Sequence, residues 1–443
     1  MKTLNLLNDL IAETKKLGAD AADVLLGEAV SLRVARRLGK AEALERSEDF
    51  DMGLRVFVGK KQAIVSSTDR DPKMLKSLAE RAVAMARAVP EDPFSGIADA
   101  SEIAGNFPDL DLFDATEPSA DALIRGADAA EAAALDVKGV TNSDGAEFSW
   151  GRDSVYYVAS NGFAGSYTSS GAGLSVSVIA GEGTNMERDY DYSSAAHMSD
   201  LQRPEEIGRS AGERTVKMLN SRKMKTGRFP VVFDPRISGG LAGLLAGAAS
   251  GSAIARGTSF IKDKMGQQIF SRGITIIDDP FRKRGLRSRP FDAEGVAPAR
   301  REIVKDGVLQ GWILDLRSAR QLKLKTTGNA ARGTGGPPAP KAANFYMEAG
   351  AQTPADLIHG IDEGFYVTSL LGSGTNLVTG DYSHGARGFW IEKGNITFPV
   401  SEMTIAGNLK DMWMQLTPAN DLKFRYGVDA PTILIEQMTV AGA

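Results

Sequence analysis

A chain of 443 residues exceeds one ordinary hydrophobic core, so two domains are expected, with room for a third. Its 52 Lys and Arg against 56 Asp and Glu give a net charge of −4 with no acidic or basic tail, which argues against direct contact with nucleic acid or an anionic membrane. Cysteine is absent; this excludes disulfides, thiolate metal ligands and a cysteine nucleophile, and fits a reducing cytoplasm.

The stretch MKTLNLLNDLIAETKKLG carries Leu4, Leu7, Leu10, Ile11 and Leu17 at helical spacing, with Gly18 as its stop. Asp9 and Glu13 interrupt the apolar positions, so it reads as a helix and not as a signal peptide. From Ala22 to Ser67 the texture is that of strands, VLLGEAV, LRVARRL, GLRVFVG and KQAIVSS, the last two joined tightly at Gly59-Lys60-Lys61. Asp71-Pro72 starts a second helix, with Leu75, Leu78, Ala82, Val83 and Val89 as its stripe and Pro90 as its end. Pro90 to Pro118 is loop by composition, and an alanine-rich helix follows from about Ser119 to Val137. Asn161-Gly162, between DSVYYVAS and FAGSYTSS, predicts a hairpin with a type I′ turn, and GLSVSVIAGEG continues the meander. Pro204 opens a helix to Leu219 with Ile207, Ala211, Met218 and Leu219 inward. The basic SRKMKTG marks the expected boundary between an N-terminal α/β domain, 1–225, and a C-terminal β-rich domain, 226–443.

Arg228 to Phe260 organises the second half. Phe229 to Phe233 reads as a buried strand, and Asp234-Pro235 ends it. Ile237 to Ala255 then carries no charge, and Gly239, Gly243, Gly247 and Gly251 recur every fourth position along one helix face. Each glycine inside a helix costs roughly 1 kcal/mol relative to alanine, so the row predicts close approach by other backbone. Its glycines and serines dilute this run too far for membrane insertion, and the protein reads as soluble. Beyond it the chain is mostly β: Asp306-Gly307 turns REIVK into VLQGWILDL, Lys393-Gly394-Asn395 turns GFWIE into ITFPV, and PTILIEQMTV is the last strand. GTGGPPAPK, 333–341, is loop. The predicted class is α+β, a mixed α/β N-terminal half and a mainly antiparallel β C-terminal half with a glycine-rich buried helix.

Residues that carry chemistry are sparse. There is no G-x-S-x-G and no Walker loop, and Gly171-Ala172-Gly173 and Gly372-Ser373-Gly374 lack the helix a phosphate cradle needs. His197, His359 and His384 are isolated, so no paired-histidine metal site can be written. His384 lies among Asp381, Tyr382 and Arg387 in a glycine-rich stretch where backbone can approach a ligand, and with Asn344 and Tyr346 these residues form a candidate peptide cleft. Arg282, Lys283, Arg284, Arg287 and Arg289 form one basic patch, read as a solvated loop because Asp278, Asp279 and Asp292 offset it.

Along nearly its whole length the chain resembles the TldD/PmbA family, in SEDFDMGLRVFVG, RDYDYSSAAHMSDL, GTSFIKDKMGQQIF, GLRSRPFDAEGV and TGDYSHGARGFWIEKGNITFPVSEMTIAGNL. Within the family it is similar to the PmbA/TldE branch. The TldD branch carries H-E-x-x-x-H on the helix after the strand and a later cysteine, which hold zinc. Carried over without gaps, LLHEAVGH falls on Leu244 to Gly251: the histidines become Ala246 and Gly251, the water-activating glutamate becomes Gly247, and no cysteine exists. The resemblance therefore implies no catalytic or metal-ligating residue in this chain, with zinc expected in a TldD-type partner. It also implies a non-catalytic subunit of a TldD/TldE heterodimeric metalloprotease acting on unfolded peptides. A stand-alone homodimeric regulatory protein, of the DNA gyrase modulator kind, is the alternative, and a distinct enzyme site around Asp381 and His384 a third.

Overall fold

The computed structural model describes residues 2–372 and 374–442, so Ser373 of the Gly372-Ser373-Gly374 candidate lies outside the described residues. The N-terminal half is one six-stranded, wholly antiparallel sheet, made from β1 (Ala21–Arg37), β2 (Lys40–Val58), β3 (Lys61–Ser67), β4 (Val140–Ala159), β5 (Ala164–Ala180) and β6 (Glu187–Ala195) in the order β3-β2-β1-β4-β5-β6. VLLGEAV and LRVARRL prove to be a single 17-residue strand, because β4 flanks both segments without a break and β2 does so with one register shift at Ala35-Arg36. The predicted type I′ turn is also corrected. Only Gly162 has positive φ, at 96°, and its N–H bonds to the Ala159 carbonyl at 3.1 Å, so Asn161-Gly162 closes a three-residue hairpin loop with glycine in the left-handed position.

Four helices cover one face of this sheet: α1 (Lys2–Lys16), α2 (Pro72–Ala88), α3 (Ala120–Leu135) and α4 (Pro204–Lys217). Their starts are chemical. Asp71 accepts from Lys73 N–H at 2.8 Å with Pro72 behind it, and Ser119 accepts from Ala122 N–H at 3.2 Å. Leu7, Leu10, Leu75 and Leu78 pack on Val24, Leu26, Leu54 and Val56, while Leu123, Ile207 and Ala211 pack on Leu32, Val34, Phe148 and Trp150.

In the C-terminal half β7 (Gly227–Phe233) leads into α5 (Pro235–Ala248) and α6 (Gly251–Ala255). Asp234 caps α5 through Arg236 N–H at 2.9 Å, so the residues that end the strand start the helix. The predicted single glycine-rich helix is broken at Ala249-Ser250. There the Ile313 backbone enters, its N–H bonding to Ala249 O at 3.0 Å and its carbonyl accepting from Gly251 N–H at 2.7 Å. The remaining elements are β8 (Ile276–Asp279), β9 (Arg301–Lys305), β10 (Val308–Leu309), α7 (Leu316–Leu322), β11 (Ala330–Ala331), β12 (Ala339–Pro340), β13 (Asn344–Met347), α8 (Pro354–His359), β14 (Glu363–Leu371), β15 (Thr375–Asn376), β16 (Asp381–Glu392), β17 (Asn395–Asn408), α9 (Leu409–Met414), β18 (Leu416–Pro418), β19 (Val428–Asp429) and β20 (Ile433–Ala441). VLQGWILDL keeps only two strand residues, since the chain turns into α7 through a capping box of Asp315 and Ser318.

One sheet runs β14-β7-β20-β17-β16-β15 and a smaller one β10-β9-β8-β13-β19. Pairing is mainly antiparallel, with two parallel exceptions, β14 with β7 and β13 with β19. A core of Phe229, Phe233, Leu241, Leu245, Trp390 and Trp413 fills this half. The architecture is α+β with a β-rich C-terminal half, as the patterning predicts. Among the described residues no helix is long and apolar enough to cross a membrane.

Candidate functional site

Strand residues alternate between sheet faces. In β1, Val24, Leu26, Leu32 and Val34 lie under the helices, which turns Asp23, Leu25, Gly27, Ala29 and Ser31 to the other face. Strand register sets Gly27 beside Val155 and Tyr167, Ala29 beside Asp153 and Ser169, and Ser31 beside Gly151 and Gly171. This face thus has an apolar end and a floor of small, polar residues.

Segments 285–294 and 330–342 of the C-terminal half lie over the apolar end and leave three cavities, of about 360, 400 and 210 Å³. Tyr167, Arg289 and Ala331 line both the first and the second, and Ala196, Gly285 and Leu286 both the second and the third, so together they form one groove. The roof is pinned by close approach. Gly53 on β2 admits the Thr334 backbone where a Cβ would collide, and Thr334 hydroxyl donates to Asp51.

Behind the first cavity lies a buried charge cluster. Asp23 Oδ2 accepts from Arg55 Nε at 2.8 Å, and Asp23 Oδ1 lies 2.7 Å from Arg332 Nη2. Arg55 Nη1 is 3.7 Å from Glu294 Oε1. Burial nevertheless pushes the Glu294 carboxyl up to about 8, the long contact with Arg55 opposing this only in part. Asp292 is pushed up to about 6 by the same desolvation, although its oxygens accept from the backbone N–H groups of Glu294, Val296 and Ala330. Burial also raises the Asp278 carboxyl, which accepts from Asn329 and the Ala343 N–H.

The cleft residues expected from sequence divide between the two C-terminal sheets. Asn344 borders the third cavity, but its amide is engaged by Asp279 O, Ser288 Oγ and Arg287 N–H. Tyr346 is buried against Phe424, ring centroids 4.9 Å apart. Asp381, Tyr382, His384 and Arg387 share β16 instead. Asp381 accepts from Thr379 and Asn408; Tyr382 is buried. His384 Nδ1 donates to Gly372 O at 3.1 Å, which leaves Nε2 to accept from Thr375 hydroxyl at 2.9 Å. Arg387 pairs with Glu187 and Asp189 across the halves. His197 rests on Asp111 O at 2.9 Å, and His359 ends α8, exposed.

The basic patch also divides. Arg284 pairs at the surface with Asp111 and Asp200, as a solvated loop would, whereas Arg289 turns into the groove and donates to Lys341 O at 2.9 Å. The cluster of Asp23, Arg55, Glu294 and Arg332 was not anticipated. A charge set inside an apolar strand, as in AADVLLG and GLRVFVG, is the signal that reveals it.

At the positions matched to H-E-x-x-x-H, Ala246 packs on the core, Gly247 faces Leu377, and Gly251 is set so closely on Ser318 and Leu314 that any side chain would collide. None carries a donor atom. Among the described residues no group of three or more His, Cys, Asp or Glu stands ready to hold a metal ion, so these residues do not fit zinc.

Profiles of the PmbA/TldA metallopeptidase domain 1, central domain and C-terminal domain match residues 22–86, 113–219 and 226–442. The chain is 39% identical to Metalloprotease PmbA of Escherichia coli O157:H7 over 426 residues, covering 96% of this chain and 93% of that one. A crystal structure from Bacteroides thetaiotaomicron VPI-5482, named as a candidate modulator of DNA gyrase, superposes with a TM-score of 0.92 at 29% identity, covering 99% of this chain and 98% of the other. TldE from Thermococcus kodakarensis shares the fold, with a TM-score of 0.87 at 21% identity over 99% and 100% of the two chains.

Proposed function

Since the chain belongs to the PmbA/TldD metallopeptidase family, we propose that it is the non-catalytic, peptide-gripping subunit of a metalloprotease whose zinc is held by a TldD-type partner. The observation that carries this reading is the pairing of an emptied site with a built groove. The helix matched to the metal-bearing one has no donor, yet an open groove runs between the sheet floor and the loops above it. A grip on unfolded chains must tolerate many sequences, and backbone hydrogen bonding supplies that tolerance. The partner would supply the activated water; this chain would hold the extended substrate and shape the enclosure.

The test is cleavage of an unfolded peptide by this chain, by a TldD-type subunit from the same genome, and by their mixture. The expected result is no cleavage by this chain alone and faster cleavage by the mixture than by the partner alone. Zinc-dependent cleavage by this chain alone would overturn the proposal. A mixture no faster than the partner, with this chain forming a homodimer by itself, would favour the regulatory reading that the Bacteroides structure's name suggests.

A further inference from the structure

The first cavity of the groove is unbalanced in hydrogen bonding. One side is apolar, formed by Leu25, Val155, Tyr167 and Phe291. Arg332 stands on the other, its side chain 1% exposed, and its Nε, Nη1 and Nη2 make no directed hydrogen bond among the described residues. Arg289 and Tyr157 line the same space, and Arg289 Nε and the Tyr157 hydroxyl also have no hydrogen-bond partner among the described residues. Among the described residues Asp23 is the one acid paired with Arg332, and Arg55 shares it. Asp292, Glu294 and Asp278 have already accepted from backbone and Asn329. The cavity therefore presents donors in excess of acceptors, on atoms so buried that an unmade hydrogen bond is costly. Its floor is also kept clear: a Cβ on Gly27, which faces this space from the middle of β1, would meet nothing within 4 Å.

We propose that this cavity binds a carboxylate borne on a small apolar group, the free C-terminal residue of a peptide being the form that fits the groove. Arg332 and Arg289 hold the carboxylate, Tyr157 adds a third donor, and the Leu25, Val155 and Phe291 wall takes the side chain. A planar guanidinium matches a carboxylate with two parallel hydrogen bonds. A dianion such as phosphate is disfavoured, because Asp23 and Asp292 stay close by and repel a second charge. The proposal rests on the peptide-gripping reading and adds to it a fixed place for the peptide's end.

Calorimetric titration of the full chain with acetyl-Ala-Leu, acetyl-Ala-Leu-amide and isovalerate tests it. The free acid should bind, with the amide on the order of tenfold weaker or worse, since the charge-assisted pair is lost. Isovalerate binding as tightly as the peptide would support the same site with a free small acid as its occupant. Arg332→Met and Arg289→Met should each lower affinity for the acid by roughly tenfold. Gly27→Leu, which puts a side chain into the cavity and leaves both arginines in place in the sequence, should abolish binding while the protein stays folded by circular dichroism. Equal binding of acid and amide, no binding of the acid at millimolar concentration, or unchanged binding in Gly27→Leu would each overturn the proposal. If the mixture with the TldD-type subunit still cleaves unfolded peptide faster, only the carboxylate site falls; if that stimulation is also missing, the peptide-gripping reading falls with it.

Discussion

Two interior regions of this protein treat polarity in opposite ways. Around α5 every feature serves packing: Ser238 donates to Ala430 O, Ser259 to Ala248 O, and Gly239 admits the Val428 carbonyl where a Cβ would lie 2.5 Å away. Under the groove, Arg55 and Arg332 share Asp23, and Arg289 Nε has no acceptor among the described residues. The helix matched to the metal-bearing one of the TldD branch is thus a packing element, and the buried charge lies at the junction of the two halves. Where backbone is packed on backbone, as at Gly239, added volume is not tolerated; what is charged tolerates no loss of partner.

The largest test of that contrast is Asp23→Ala. It strands Arg55 and Arg332 without their shared counter-charge, and removing one member of a buried pair costs about 3–5 kcal/mol. Urea unfolding should show a loss of that size, whereas a loss near zero would mean the cluster is wet. Next, Gly239→Ala should lower stability by about 1–3 kcal/mol, because the Val428 backbone cannot retreat freely.

The cluster also makes stability depend on pH. The folded Glu294 carboxyl keeps its proton up to about 8, while an unfolded glutamate releases it near its ordinary value of 4.5. Between these values the folded state binds more protons, so this contribution is fully present below about pH 4.5 and is lost as pH rises through about 8. Its slope is at most about 1.4 kcal/mol per pH unit, and Glu294→Gln should flatten it in unfolding curves taken between pH 5 and 8. The smallest effect has the opposite sign. Gly243→Ala should stabilise α5 by about 0.5–1 kcal/mol, since its Cβ would meet only Val428 Cγ1 at 3.8 Å. A destabilised Gly243→Ala would show that the whole glycine row is packed, and not only Gly239, Gly247 and Gly251.

Legibility from sequence followed the range of the forces involved. Asp71-Pro72, Ser119 and Lys393-Gly394 act within a few residues, and the helix starts and the β16–β17 turn could be read directly. The break of the glycine run could not, because it is made by Ile313, far along the chain. Helices α7, α8 and α9 span 6 or 7 residues, too few to show a period. The site was harder still. Asp23, Arg55, Glu294 and Arg332 come from four separate segments, and only the topology brings them together. The cleft residues chosen from local composition, by contrast, are spent largely on structure: His384 uses both ring nitrogens and Asn344 its whole amide.

The most direct test of the central claim, that peptide is held in the groove and not at the emptied helix site, is hydrogen exchange of this chain with and without an unfolded peptide. The account predicts slowed exchange in the loops of 285–295 and 330–341 and no change in 237–255. Protection centred on 237–255 with the groove loops unaffected would contradict it.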